Sequence, residues 1–81
     1  MNVSSKALYV RVVNDLIQGY GEDEARQLSK ILLHVQFDIP FEKILIDESF
    51  DIDENNLKPL HQKVEQLKEF QPIQYVLGIG H

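Results

Sequence analysis

The sequence predicts an all-α fold, a small bundle of four helices plus a short C-terminal helical turn, forming one domain over residues 1–81. Apolar side chains recur every three or four residues in four separate segments, which is the spacing of amphipathic helices. Prolines and glycines lie between these segments, where they end one helix and let the chain turn. A chain of 81 residues can bury only a small core, so a single domain is expected.

The first helix is predicted from Ser5 to Tyr20. Ser4 or Ser5 can accept hydrogen bonds from the free N–H groups of its first turn. Gly19 and Gly21 bracket its end, where glycine most easily adopts the left-handed conformation that terminates a helix. The apolar stripe consists of Leu8, Val12, Leu16 and Tyr20, flanked by Tyr9, Val13 and Ile17.

The second helix is predicted to begin at Glu22, where three consecutive carboxylates lie at the positive end of the helix dipole. It ends at residues 38–40, because the residue before Pro40 disfavours the α conformation. Its predicted apolar stripe consists of Ala25, Leu28, Leu32 and Val35, with Ile31 beside them.

A short third helix is predicted from Phe41 to Ile46, since Pro40 suits a first helical turn. Phe41, Ile44 and Leu45 are expected to share its apolar face. An acidic connector follows over residues 47–54, and its apolar anchors are predicted to be Phe50 and Ile52.

Part of the connector has the spacing of a calcium-binding loop. Asp51-x-Asp53-x-Asn55 matches the first, third and fifth positions of an EF-hand loop, where oxygen ligands converge on the ion. The match then fails, because the sixth position requires glycine and holds Asn56, and the twelfth requires glutamate and holds Gln62. We therefore expect a solvated acidic loop that caps the next helix.

The fourth helix is predicted from Asn56 to Phe70, with Asn56 as its N-cap. This start follows from Pro59, because proline is harmless only in the first turn of a helix. Pro72 ends the helix, and residues 73–77 are predicted to form one last turn before Gly78. The apolar stripe consists of Leu57, Leu60, Val64 and Leu67.

The composition excludes several classes of function. The net charge is −5, from 13 acidic and eight basic residues, and the basic residues are scattered, so direct nucleic-acid binding is not expected. No cysteine is available for disulfides or thiolate metal sites. No apolar run approaches the roughly 20 residues of a membrane span, and the N-terminus lacks the layout of a secretory signal. A cytoplasmic protein is predicted.

Histidines and one serine are the remaining candidates for chemistry. His34, His61 and His81 are too sparse for a metal site without cysteine, so surface positions are expected for them. Acyl carrier proteins are also small, acidic and four-helical, and attach phosphopantetheine to the serine of an Asp-Ser-Leu motif at a helix start. Here Glu48 precedes Ser49, and no helical stripe begins there.

The sequence lacks the motifs that common types of catalysis require. It has no glycine-rich phosphate loop, no cysteine nucleophile and no plausible serine–histidine pair. Residues 78–80 form only a Gly-x-Gly, which is too short for a cofactor turn. No catalytic, cofactor-binding or metal-binding residue is therefore predicted.

Residues 67–78, Leu-Lys-Glu-Phe-Gln-Pro-Ile-Gln-Tyr-Val-Leu-Gly, resemble the end of the N-terminal domain of the HemK-type methyltransferases, the release-factor glutamine N5-methyltransferases. In that family a helix runs into the signature Pro-(Ile/Leu)-x-Tyr-(Ile/Val)-Leu-Gly, which residues 72–78 match. The Glu-Ala-Arg-x-Leu run at residues 24–28 and the order of predicted elements are also similar to the family. The chain departs from it just before the proline, where the family often has a basic pair and a glycine.

The resemblance implies a non-catalytic N-terminal domain of an S-adenosylmethionine-dependent protein-(glutamine-N5) methyltransferase. Such a domain helps to dock and position class I peptide release factors, so the implied partners are a release factor and the parent's own catalytic domain. The family's Glu/Asp-x-Gly-x-Gly cofactor turn and Asn-Pro-Pro-Tyr motif are both missing from this sequence, so S-adenosylmethionine is expected in a missing catalytic domain. The alternative is a stand-alone acidic helical adaptor or an acyl-carrier-like protein.

Two expectations concern surfaces. The signature is predicted to close the open end of the bundle, with Tyr75 and Leu77 among its better-buried residues and residues 78–81 loose. The sequence does not identify the residues that touch a partner, and the exposed basic candidates are Lys6, Arg11, Arg26 and Lys30.

Overall fold

Five helices and a two-stranded sheet form the part of the chain that the computed structural model describes, residues 2–78. The predicted bundle of four helices with a C-terminal helical turn is confirmed, and the sheet is an addition to it. The predicted loose end lies outside the described residues beyond Gly78. In chain order the elements are β1 (Asn2–Ser4), α1 (Ser5–Tyr20), α2 (Glu22–Phe37), α3 (Phe41–Leu45), β2 (Ser49–Asp51), α4 (Glu54–Lys68) and α5 (Ile73–Leu77).

The ends of α1 lie where the local signals predict them. The hydroxyl oxygen of Ser4 accepts a hydrogen bond from the N–H of Ala7 at 3.1 Å, which identifies Ser4 as the N-cap. Gly21 has a φ of 83°, a conformation that side chains disfavour, and its N–H donates to the carbonyl of Ile17 at 2.8 Å. Because this one residue separates the two long helices, α2 turns back against α1, and together they supply most of the core.

The core is one cluster of apolar side chains from all five helices. The predicted stripes of α1 and α4 are confirmed in their central residues, while Tyr20 and Leu57 are only partly buried. Two buried hydroxyls are satisfied within the fold, since Ser29 donates to the carbonyl of Ala25 and Ser5 to that of Lys43. The buried members are Leu8, Val12, Val13, Leu16, Ala25, Leu28, Leu32, Leu33, Ile39, Ile44, Leu60, Val64, Leu67 and Val76.

The predicted stripe of α2 is partly wrong. Val35 and Ile31 are 45% and 38% exposed, whereas Leu33, outside the predicted stripe, is fully buried. The buried face of α2 therefore consists of positions 25, 28, 29, 32 and 33, and it does not include positions 31 and 35. The apolar spacing alone permits either face, and the packing of α1 decides between them.

The predicted apolar face of α3 is also partly wrong. Ile44 is buried and Phe41 is partly buried, but Leu45 is 65% exposed, and Ile46 lies beyond the helix at 73% exposure. A five-residue helix can turn only a narrow face to the core, and Leu45 follows Ile44 by about 100° around the axis. At Asp47 the backbone takes the left-handed conformation, with φ 53°, and the chain turns away.

The sheet was not predicted from the sequence. β1 and β2 pair antiparallel, with Asn2 opposite Asp51, Val3 opposite Phe50 and Ser4 opposite Ser49. Each strand has three residues, too few to show a strand period, and the partners come from opposite halves of the chain. The sheet ties the acidic connector to the start of α1, and Ile52, just after β2, is 2% exposed.

The predicted N-cap of α4 is wrong by three residues. Asp53 is the cap, and its Oδ1 accepts a hydrogen bond from the N–H of Asn56 at 3.1 Å. Pro59 therefore lies inside the helix, beyond the first turn, where the carbonyl of Asn55 loses the N–H that would normally donate to it. The carboxylate cap of Asp53 outweighs the preference of Pro59 for the first turn.

The signature forms α5 as predicted, but its burial differs from the prediction. Val76 is buried at 7% exposure, and Ile73 and Leu77 are partly buried against the core. Tyr75 is 71% exposed, so the prediction that it is among the better-buried residues is wrong. Positions 73, 76 and 77 share one face of a helix, and position 75 points away from that face. Gly78 ends α5 in the left-handed conformation.

Candidate partner-binding surfaces

The outward face of α1 contains a depression with a volume of about 580 Å³. It brings together two of the predicted exposed cations, Lys6 and Arg11, on either side of an apolar strip made by Ala7 and Val10. The depression is shallow and open, so its shape suits contact with another surface and not the enclosure of a small molecule.

Asp47 also lines this depression. Its carboxylate accepts hydrogen bonds from the hydroxyl of Ser4 and from the N–H of Lys6, the latter at 3.2 Å. These two hydrogen bonds, the one from Ser4 first, lower the pKa of Asp47 below the usual value for an aspartate. The carboxylate is thereby held against the N-terminus of α1, where the helix dipole favours a negative charge.

The other two cations, on α2, are already engaged within the domain. Arg26 forms an i,i+4 ion pair with Glu22 on the helix surface, with both side chains largely exposed to solvent. The ammonium of Lys30 lies 4.2 Å from the ring centroid of Phe41, in a cation–π contact. Tyr9 meets the same ring edge-on at 5.8 Å, and burial raises the pKa of the Tyr9 hydroxyl.

A second aromatic pair lies where α1 meets the end of α4. Tyr20 donates its hydroxyl to the carbonyl of Leu67, and its ring packs on Phe70 with centroids 5.2 Å apart. Burial raises the pKa of Tyr20, and the nearby carboxylate of Glu24 adds to the shift. Phe70 remains 64% exposed, so a large apolar side chain faces solvent shortly before the signature, whose Tyr75 is also exposed.

A third surface feature lies between the C-terminal end of α2 and β2. Phe37 and Phe50 pack with ring centroids 5.7 Å apart beside a cavity of about 210 Å³. We call this feature the acidic groove, because acidic side chains surround its aromatic floor. Its lining residues are Phe37, Asp38, Ile39, Lys43, Glu48, Phe50 and Asp51.

The acidic connector does not have the structure of a calcium-binding loop, and Ser49 does not have the position of a carrier serine. Ser49 lies in β2, five residues before α4, and not at the start of a helix where a carrier serine lies. Asp53 is engaged as the cap of α4, and Asn55 lies within the first turn of that helix, so the chain does not form a calcium loop there. His34 and His61 are exposed on α2 and α4, and His81 is outside the described residues.

Between residues 2 and 78, no group of three or more His, Cys, Asp or Glu side chains is arranged to hold a metal ion. Over the same residues, no helix has both the length and the apolar content to cross a bilayer.

Sequence reasoning missed two of these features. The bond between Ser4 and Asp47 has no local signal, because the two residues are 43 positions apart. The acidic groove had a partial signal, the run of acidic residues in the connector, but its aromatic floor joins Phe37 of α2 to Phe50 of β2. No protein-family model, curated protein or solved structure matches the chain.

Proposed function

We propose that this chain is a non-catalytic docking domain, the N-terminal domain of a HemK-type protein-(glutamine-N5) methyltransferase, which helps to position a class I release factor. The observation that carries the proposal is the signature at residues 72–78, which begins four residues after the end of the long helix α4 and contains the short α5. The order of two long helices, a short helix, an acidic segment, a long helix and the signature also supports it.

The proposal places the chemistry in a domain that this sequence does not include. S-adenosylmethionine would bind to that domain, because the cofactor turn and the Asn-Pro-Pro-Tyr motif are both missing from residues 1–81. The contribution of this domain is then binding energy and orientation, which raise the rate of a reaction by holding the reacting groups together. Exposed Phe70 and Tyr75 provide apolar contact area for such binding.

An NMR titration tests the proposal directly. The ¹⁵N-labelled chain is titrated with a class I release factor that contains the Gly-Gly-Gln loop, and with a translation factor that lacks this loop as a control. We expect weak, saturable changes in amide shifts with the release factor only, because the domain would supply part of a composite interface. No shift change at high concentration of the release factor would contradict docking by this domain.

Matched variants sharpen this experiment. Tyr75→Ser and Val35→Ser each remove an exposed apolar side chain, at 71% and 45% exposure, so both variants should keep the fold. If the signature end contacts the release factor, Tyr75→Ser weakens binding and Val35→Ser does not.

The alternative, an acyl-carrier-like protein, predicts a mass increase at Ser49 after incubation with a phosphopantetheinyl transferase. An unchanged mass would eliminate this alternative.

A further inference from the structure

We propose that the acidic groove docks a basic segment of a partner protein, in which Lys and Arg residues flank one apolar side chain. The proposal does not depend on the proposed function, because it concerns the face formed by the end of α2, the turn after α3 and β2. It names a kind of ligand from the size of the groove, its floor and its charge.

The size and floor of the groove suit one apolar side chain. Its volume of about 210 Å³ is below the roughly 300–1,000 Å³ of pockets that hold drug-sized ligands. The rings of Phe37 and Phe50 and the aliphatic side chain of Ile39 line it. A side chain such as Leu or Met, inserted from a bound segment, would cover the partly exposed faces of these rings.

The charge around the groove determines what flanks that side chain. Seven of the 13 acidic residues and one of the eight basic residues lie between Asp38 and Glu54, so this segment has a net charge of −6. The rest of the chain has a net charge of +1. Three of these acidic residues, Asp38, Glu48 and Asp51, line the groove together with Lys43. This excess of negative charge favours a cationic partner over a phosphate backbone.

The walls of the groove are fixed by backbone hydrogen bonds. At the end of α2, the N–H of Asp38 donates to the carbonyl of His34 at 2.9 Å, and that of Ile39 donates to Leu33 at 3.3 Å. On the opposite side, the N–H of Glu48 donates to the carbonyl of Lys43 at 2.9 Å. A preformed site of this kind loses little conformational entropy on binding.

Lys43 provides an internal test, because among the residues that the structure describes it is the one basic side chain that lines the groove. Its charge has the same sign as that of a cationic ligand, so it opposes the binding of such a ligand. Removing its charge by Lys43→Gln should strengthen binding by about twofold, whereas a groove that selects an anionic ligand would bind more weakly after this change.

The experiment uses the full chain and a capped peptide, Gly-Arg-Lys-Leu-Lys-Arg-Gly, with Gly-Glu-Glu-Leu-Glu-Glu-Gly as its charge-reversed control. We expect saturable shift changes at the amides of Phe37, Ile39, Glu48 and Phe50 with the basic peptide alone. The affinity should fall as salt is added, because exposed charges are screened. Binding of both peptides, binding of neither, or shifts centred elsewhere would overturn the proposal.

A charge-matched pair of variants separates docking from general attraction. Asp38→Asn with Glu48→Gln removes two carboxylates from the rim, and asparagine tolerates the left-handed backbone at position 38, where φ is 58°. Asp15→Asn with Glu69→Gln removes the same charge from residues that do not line the groove. We expect about threefold to tenfold weaker binding for the first variant and less than about twofold for the second. Equal losses would show attraction by net charge alone and overturn the proposal.

Discussion

The hydroxyl of Ser4 donates a hydrogen bond to the carboxylate of Asp47, although the two residues are 43 positions apart. The oxygen of the same hydroxyl accepts from the N–H of Ala7, and the carboxylate also accepts from the N–H of Lys6. Two free amides at the start of α1 are therefore satisfied, one by its own N-cap and one by the loop after α3. This arrangement joins the first helix to the acidic half of the fold.

The lowered pKa of Asp47 predicts a pH-dependent contribution to stability. Because the pKa is lower in the folded protein than in the unfolded chain, about 3.9, the contribution is fully present above that value. It is lost as the pH falls through the folded pKa, when the carboxylate takes up a proton. Asp47→Asn should therefore lower the free energy of unfolding at about pH 7, and the difference from the wild type should narrow at about pH 3.

Urea unfolding at the two pH values measures this difference. Asparagine tolerates the left-handed backbone at position 47, so the variant removes the charge without straining the loop. Asp15→Asn is the control, because Asp15 is exposed on α1 and its replacement by asparagine removes the same charge. A constant difference between Asp47→Asn and the wild type across the pH range would contradict the role of the carboxylate.

The N-cap of α4 is tested by two alanine substitutions three residues apart. Asp53→Ala should lower the free energy of unfolding by about 1 kcal/mol, because the N–H of Asn56 loses the carboxylate acceptor and keeps only the carbonyl of residue 53. Asn56→Ala should change it by less than about 0.5 kcal/mol, since Asn56 contributes its backbone and alanine is the better helix former. Chemical denaturation followed by circular dichroism compares the two, and the reverse order would restore Asn56 as the cap.

The elements that could be predicted from the sequence are those whose signals are local. The bounds of α1 follow from Ser4 and Gly21, and those of α5 from Pro72 and Gly78, because each signal acts within one helical turn. The start of α4 was misplaced because two local signals compete there, and the cap at Asp53 outweighs Pro59.

Contacts between distant residues could not be predicted in this way. The pairing of Val3 with Phe50 joins two three-residue strands with no period of their own. The exposed face of α2 depends on where its neighbours pack, so Ile31, predicted beside the apolar stripe, is exposed, and Leu33, which was not part of the prediction, is buried. For the candidate sites, the acidic run was visible in the sequence, but the aromatic floor that makes it a groove was not.

The signature segment provides a prediction about which of its residues stabilises the domain. Val76 is 7% exposed and belongs to the core, so Val76→Ala should lower the free energy of unfolding by about 1–3 kcal/mol. Tyr75 is 71% exposed, so Tyr75→Ala should change it by less than about 0.5 kcal/mol. Thermal and urea unfolding measure both, and a larger loss for Tyr75→Ala would mean that its ring packs on the domain in solution.

Gly19 and Gly21 lie on either side of the end of α1. Replacing each of them by alanine should change the free energy of unfolding in opposite directions. Gly21 has open space around a would-be Cβ, but its φ of 83° is a conformation that L-residues rarely adopt. Gly21→Ala should therefore lower the free energy of unfolding by about 1–3 kcal/mol through backbone strain. Gly19 lies inside the helix, where alanine is intrinsically favoured over glycine by about 1 kcal/mol.

Whether Gly19→Ala raises or lowers the free energy of unfolding depends on the ring of Phe70. A Cβ at position 19 would lie 3.2 Å from Cζ of Phe70, which is closer than ordinary van der Waals contact. Phe70 is 64% exposed, so its ring has solvent to move into, and Gly19→Ala should raise the free energy of unfolding by about 0.5 kcal/mol. Urea unfolding decides the sign. A loss of stability would mean that the contact between Tyr20 and Phe70 holds the ring in place, and that this aromatic pair is a rigid part of the surface near α5.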